Sequence, residues 1–397
     1  MAELTVHYIL ESPLDRRDYE RFGVAVMKER YKVRIWDISP FLSPTLYKLA
    51  LKNQNLFSPD ECTLIQTEAQ AIEEISRLTQ SDRVICVPHC REETLGIFRA
   101  LSASKALFGG FSLGTLPPPT VRASVNAPLP KKIFKKALTV LENPAKIAQK
   151  AWQFAFNKAP PALLGLRAYD FFLASGTDSV NGFKLIGPET KLLWAHSFDY
   201  ERFCEEREKN PGLSSSHIVF LDEYVPFHPD YVFQGISPPV SADEYYPALN
   251  KFFEWIETRL GKPVVIAAHP RSHYERHPDF FGGRKVIRGE TPKLVREAAL
   301  VLSHSSTSVC HAVLCKKPIL FIALEKFFGR FEGDLTRGLS NVLGKSLVTI
   351  DVDPLSNVDL ARLMIVEDRA YADYVARYLK IPESFDEPIW EMLRKHL

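Results

Sequence analysis

Residues 299–322, ALVLSHSSTSVCHAVLCKKPILFI, decide the fold. Ala299 to Ser303 is a short apolar run, Ser305 to Leu314 carries helical composition, and Lys317 to Ile322 returns to strand character. A strand, a helix and a strand in so few residues predict two parallel strands joined by a crossover helix. The same beat extends in both directions. Upstream, His217 to Leu221 and Lys262 to Ala268 read as buried strands. Between them, Ser241 caps a helix that runs to Leu260, with acidic residues in its first turn. Thr291-Pro292 opens a short helix, with proline at the first helical position. Downstream, Leu347 to Ile350 reads as another strand. These units predict a doubly wound domain.

The first half repeats the pattern. Strands are predicted over Leu4–Leu10, Tyr31–Asp37, Arg83–Pro88 and Ala106–Leu113, and helices over Asp18–Lys28, Thr67–Leu78 and Glu92–Ser104. Strand-like runs resume at Ala168–Ala174 and Lys191–Ala195. The expected class is α/β: two Rossmann-like domains facing a cleft, spanning 1–210 and 211–355. A breaker cluster at Asn210-Pro211-Gly212 marks the hinge, and aromatic-rich helices over 356–397 are expected to pack back on the first domain.

Bulk properties narrow the function. The chain has 397 residues, too many for one ordinary core. A net charge of +2 provides no global field for nucleic acid, so that partner is not expected. The six cysteines are scattered, as reduced thiols of a cytoplasmic protein would be. Cys86 sits inside an apolar run and reads as core, not as a metal ligand. The first twenty residues lack the features of a signal peptide, and no run is long enough to span a bilayer. Residues 131–158 carry seven Lys against one Glu, together with Trp152, Phe154 and Phe156. Pro144 divides them into two basic amphipathic helices. These suit either peripheral contact with an anionic membrane on its cytoplasmic face or a solvated lysine face.

Ligands of open parallel sheets bind beyond the C-terminal ends of the strands. Three strand ends of the second domain carry reactive groups: Asp222-Glu223, His269-Pro270-Arg271, and Ser303 through Ser308. The hydroxyl run lies between a strand and a helix, where free backbone N–H groups attract a phosphate. Ser303, Ser305, Ser306 and Thr307 are the expected phosphate binders, with one of them also capping the helix. His269 and Arg271 add polar and positive groups beside them. Asp222 or Glu223 is the candidate general base. His196 and His228 are candidate cleft or acceptor contacts. His273 and His277 are flanked by Pro270 and Pro278, which argue against the helix a zinc site would need there. No metal is expected.

The strand ending in His269-Pro270, about 35 residues before the serine-rich turn, resembles the bacterial sialyltransferase, polysialyltransferase and Kdo-transferase group of surface-polysaccharide synthesis. The resemblance covers about residues 217–325. It implies a GT-B glycosyltransferase using CMP-activated nonulosonic acids, with a glycan acceptor and no metal. It further implies that Asp222 or Glu223 is the base, that His269 stabilises the leaving phosphate with Pro270 fixing its backbone, and that Ser305, Ser306 and Thr307 hold that phosphate. The acidic motif of that group usually ends in glycine, whereas Tyr224 stands here. Alternative functions on such a scaffold are a UDP-sugar 2-epimerase, a glycerophosphotransferase, or a non-catalytic polysaccharide-assembly protein.

Overall fold

The computed structural model describes residues 4–52, 55–119, 144–209, 215–384 and 386–397. The hinge cluster at 210–212 and residues 131–143 of the basic segment lie outside the described residues. Seven strands form the first sheet: β1 (Thr5–Leu10), β2 (Lys32–Asp37), β3 (Cys62–Leu64), β4 (Asp82–Cys86), β5 (Leu107–Ser112), β6 (Phe171–Ala174) and β7 (Lys191–Trp194). Six form the second: β8 (His217–Leu221), β9 (Val264–Ala268), β10 (Val286–Arg288), β11 (Ala298–Ser303), β12 (Ile319–Ala323) and β13 (Leu347–Thr349). The spatial orders are β3-β2-β1-β4-β5-β6-β7 and β10-β9-β8-β11-β12-β13, and every pairing is parallel. The fold is therefore α/β with two Rossmann-like halves, as expected.

Burial explains why these segments became strands. β8, β9, β11 and β12 are buried at every position, as parallel strands covered on both faces must be. Alternate residues feed opposite faces: Ile218 and Phe220 join one apolar cluster, Val219 and Leu221 another. The first sheet divides its residues between two clusters in the same way. The helix Ala242–Leu260 begins at a Ser241–Glu244 capping box and ends at Gly261, whose φ of 63° is the left-handed cap that glycine adopts freely.

Two expected helices differ in extent. The segment read as one helix from Asp18 breaks at Gly23, where φ is 61° and a Cβ would strike the Trp390 ring. It becomes Arg16–Arg21 and Val24–Lys28. The helix expected from Ser305 begins only at Val309, so 305–308 is an open turn.

The tail returns to the first half. His196 pairs with Lys380 in an antiparallel bridge, and Ser197 donates its N–H to the Leu379 carbonyl at 2.7 Å. The helix Ile389–His396 buries Ile389, Trp390, Met392 and Leu393 in a core of the first sheet. Among the described residues, no helix is long and apolar enough to cross a membrane. In the helix Pro144–Lys158, Phe156 is buried in the core while Trp152 and Phe154 are exposed.

Candidate active site

Strand order locates the crevice. In the second sheet, β8 lies between β9 and β11, so the chain winds in opposite directions from it and opens a gap beyond β8 and β11. A cavity of about 350 Å³ occupies that place, between the two halves. Its second-half wall includes Asp222, His269, Pro270, Thr291, and the turn Ser306-Thr307-Ser308. Its first-half wall carries Arg17, Arg21, Phe198, Asp199 and Arg202.

Asp222 follows β8 and lies at the rear of the cavity. Its Oδ2 accepts the His269 N–H at 3.1 Å and its Oδ1 accepts the Tyr224 N–H at 3.0 Å. Burial raises its pKa to about 6, although these N–H donors pull the other way. Tyr224 occupies the left-handed region at φ 53°, a conformation that favours glycine. It is held there by ring contacts with Phe227 and Tyr274, with centroids at 5.4 Å and 5.3 Å. Glycine's conformation is thus kept without glycine, and the Tyr224 N–H remains aimed at Asp222.

Glu223 points elsewhere. Its two carboxylate oxygens accept the Ser305 N–H and the Ser305 hydroxyl, each at 2.6 Å. Burial pushes it up to about 7 against the pull of these bonds. Ser305 therefore has no donor left for a phosphate, which corrects its expected role. Ser303 is fully buried with no hydrogen-bond partner for its hydroxyl, so it cannot reach the cavity either. His304, between them, is a core residue bonded to the Tyr245 hydroxyl at 2.9 Å and the Ile322 carbonyl at 2.6 Å. Ser306 and Thr307 do line the cavity, and Ser308 joins them.

His269 ends β9. Its Nδ1 accepts the Arg271 N–H at 3.2 Å, which assigns the ring proton of the neutral form to Nε2. Burial, helped by the charges of His228 and Arg271, lowers its pKa to about 4. At neutral pH the ring is an uncharged hydrogen-bond donor. The His228 ring stands 4.8 Å from it, edge to face. Arg271 lines a separate cavity and approaches Asp230 at 3.6 Å. His196 does not face the cavity: its ring nitrogens meet the Ser197 and Glu387 carbonyls at 3.2 Å and 3.0 Å, where the tail crosses over.

The sequence reading did not single out the first-half arginines. Arg17 and Arg21 lie one helical turn apart on Arg16–Arg21, and Arg202 comes from Phe198–Lys209. The Arg21 guanidinium stacks over Phe198 at 4.4 Å, while its backbone carbonyl accepts the Trp390 indole N–H at 2.7 Å. Burial, then the like charge of Arg17, lowers the pKa of Arg21. A desolvated cation among like charges is costly unless an anion joins it. Asp199, Cys310 and His311 also converge, with ligand atoms within 4.8 Å. Repulsion from Arg21 near Asp199 and Arg202 near His311 opposes a cation there.

No family model matches the chain, and no curated protein matches it. Its fold resembles several solved structures. The UDP-GlcNAc 2-epimerase of Methanocaldococcus jannaschii, solved with UDP-GlcNAc and UDP, shares 13% identity with a TM-score of 0.43, covering 99% of this chain and 98% of that one. MurG of Acinetobacter baumannii shares 9% identity at 0.44, covering 99% and 100%. The wall teichoic acid polymerase TagF shares 11% identity at 0.43, covering 94% and 83%.

Proposed function

We propose that the chain is a glycosyltransferase that moves a nonulosonic acid from its CMP-activated form to an acceptor hydroxyl. The observation that supports this reading most is one cavity with two anion-seeking walls. Ser306, Thr307 and His269 face it from one half, and Arg17, Arg21 and Arg202 from the other. A CMP-nonulosonic acid carries two separate anions: the phosphate and the carboxylate of the sugar. In this reading the hydroxyl turn and the His269 Nε2–H hold the phosphate, and the arginines take the carboxylate. These groups stabilise charge developing on the leaving phosphate.

Asp222, which lines the cavity, is the base of choice over Glu223, which is not among the lining residues. Its pKa of about 6 leaves it largely ionised at neutral pH yet basic enough to take a hydroxyl proton. The positive charge needed comes from protein groups, so the reaction is proposed to proceed without a metal. The exposed Trp152 and Phe154, next to the lysines of 131–158, suit peripheral contact with an anionic membrane.

The test is CMP release from CMP-Kdo and from CMP-sialic, CMP-legionaminic and CMP-pseudaminic acids by the purified protein. UDP-GlcNAc and CDP-glycerol serve as the arms for epimerase and glycerophosphotransferase activity. Release from at least one CMP-sugar is expected. No turnover and no thermal shift with CMP would sink the proposal.

A further inference from the structure

A second chamber of about 460 Å³ adjoins the first and shares Pro270 with it. It too lies between the halves. Leu46, Leu49 and Ala50 of the helix Pro44–Lys52 form an apolar wall. Asp15, Asp18 and Asp230 add carboxylates, with Arg271 as the counter-charge. The helix Arg16–Arg21 is the partition. Arg17 and Arg21 line the first cavity, whereas Asp18 and its N-cap Asp15 line the second. One and a half turns of helix thus give one chamber a cationic wall and the other an anionic wall.

Asp15 is committed to the cap, accepting the Asp18 N–H at 2.7 Å. The Asp18 carboxylate is without such a tie, and burial, then the charge of Asp15, raises its pKa. The chamber is lined by three carboxylates and one guanidinium, while Arg17 and Arg21 act on Asp18 from outside that lining. A further negative charge would therefore face carboxylates directly and these two cations only at a remove. A sugar ring fits the same walls: its C–H face packs on the leucines, and its hydroxyls donate to the carboxylates. The volume lies within the range of small-molecule sites.

We infer that the helix Arg16–Arg21 sorts the two substrates by charge, so that the second chamber takes an uncharged or amine-bearing saccharide acceptor and turns anionic saccharides away. This rests on the transferase reading above. It has a consequence for the product. Once an acidic sugar has been added, the new terminus is anionic and no longer fits the chamber, so the enzyme adds one residue and does not polymerise.

The experiment has a binding arm and a turnover arm. In the binding arm, saturation-transfer NMR compares methyl galactoside, methyl galactosaminide and methyl galacturonide on the full-length protein. The first two are expected to bind at least about tenfold more tightly than the uronide. Asp18→Asn should narrow that gap, and Leu49→Trp, which fills the chamber, should abolish binding of all three. In the turnover arm, Leu49→Trp should lose transfer to the neutral and amine-bearing saccharides, and Asp18→Asn should gain transfer to the uronide. Equal binding of the uronide, an unchanged preference in Asp18→Asn, or products extended by several acidic residues would each overturn the inference. Because the binding arm needs no donor, it decides the charge selection even if CMP release fails and the transferase reading falls.

Discussion

The two halves share a strand order, and each places a glutamate within two residues of the end of its first strand, yet they treat that acid differently. In the first half, Glu11 follows β1 and meets the Arg91 guanidinium at 2.7 Å. In the second, Glu223 follows β8 and meets only the neutral donors of Ser305. A guanidinium neutralises the first carboxylate. The second, left without a counter-charge, is pushed up to about 7 by burial. The first half closes its own crossover point and turns Arg17 and Arg21 toward the cavity it shares with the other. The scaffold is duplicated; the chemistry depends on which half leaves its strand ends unneutralised.

The largest expected effect sharpens this division of labour. His269→Ala should lower kcat for CMP release about 100-fold or more, because its donor acts on charge that develops in the transition state. Arg21→Gln should chiefly raise KM for the CMP-sugar, about tenfold, because it removes a charge that holds the donor before and during reaction. Steady-state kinetics of both variants decide it. Equal effects on kcat would erase the proposed distinction between the walls.

A smaller effect separates neighbouring serines. Ser306→Ala should raise KM several-fold with a smaller loss of stability than Ser305→Ala, since its hydroxyl accepts only the Ser308 N–H, at 3.3 Å, among the described residues. Ser305→Ala should leave KM unchanged but cost about 1–2 kcal/mol of stability, the worth of a hydroxyl donated to a carboxylate. Denaturant melts alongside kinetics would show whether the pattern is instead reversed.

The smallest effect concerns pH. The Glu223 pKa is higher in the folded chain, about 7, than its ordinary value of 4.5. The folded state therefore holds the proton more tightly. This contribution to stability is complete below pH 4.5 and is lost as the pH rises through 7. Glu223→Gln keeps an acceptor for the Ser305 N–H, and its amide can donate to the Ser305 hydroxyl, so it should flatten the decline. Above pH 7 its Tm should exceed that of the wild type by about 2–4 °C. A Tm difference that does not vary with pH would refute the assignment.

The central strands were legible because parallel strands buried on both faces leave continuous apolar runs, as in HIVFL at 217–221. The edge strands β3 and β10 were not, since three half-exposed residues leave no such run. The site was legible where it follows strand ends: Asp222, His269, Ser306 and Thr307 reach the cavity. Ser305 misled because a serine at a phosphate-type turn looks the same whether its donors are free or taken by an acid 82 residues away. The arginine wall was hidden for a similar reason. Only the spacing of Arg17 and Arg21 is local; their meeting with Arg202 and the second half is a product of the whole fold.

The docking of Trp390 onto Gly23 and the Arg21 carbonyl makes the first half a discontinuous unit. On the ribosome, its sheet strands emerge long before the indole that completes their packing, with the entire second half synthesised in between. Until residues 389–396 are made, Arg21 lacks its anchor, so a nascent chain carries a nearly finished scaffold with an unfinished binding wall. Maturation of the cleft is thereby deferred until the second half has been synthesised, and a lesion in that short helix should be felt some 370 residues upstream in sequence.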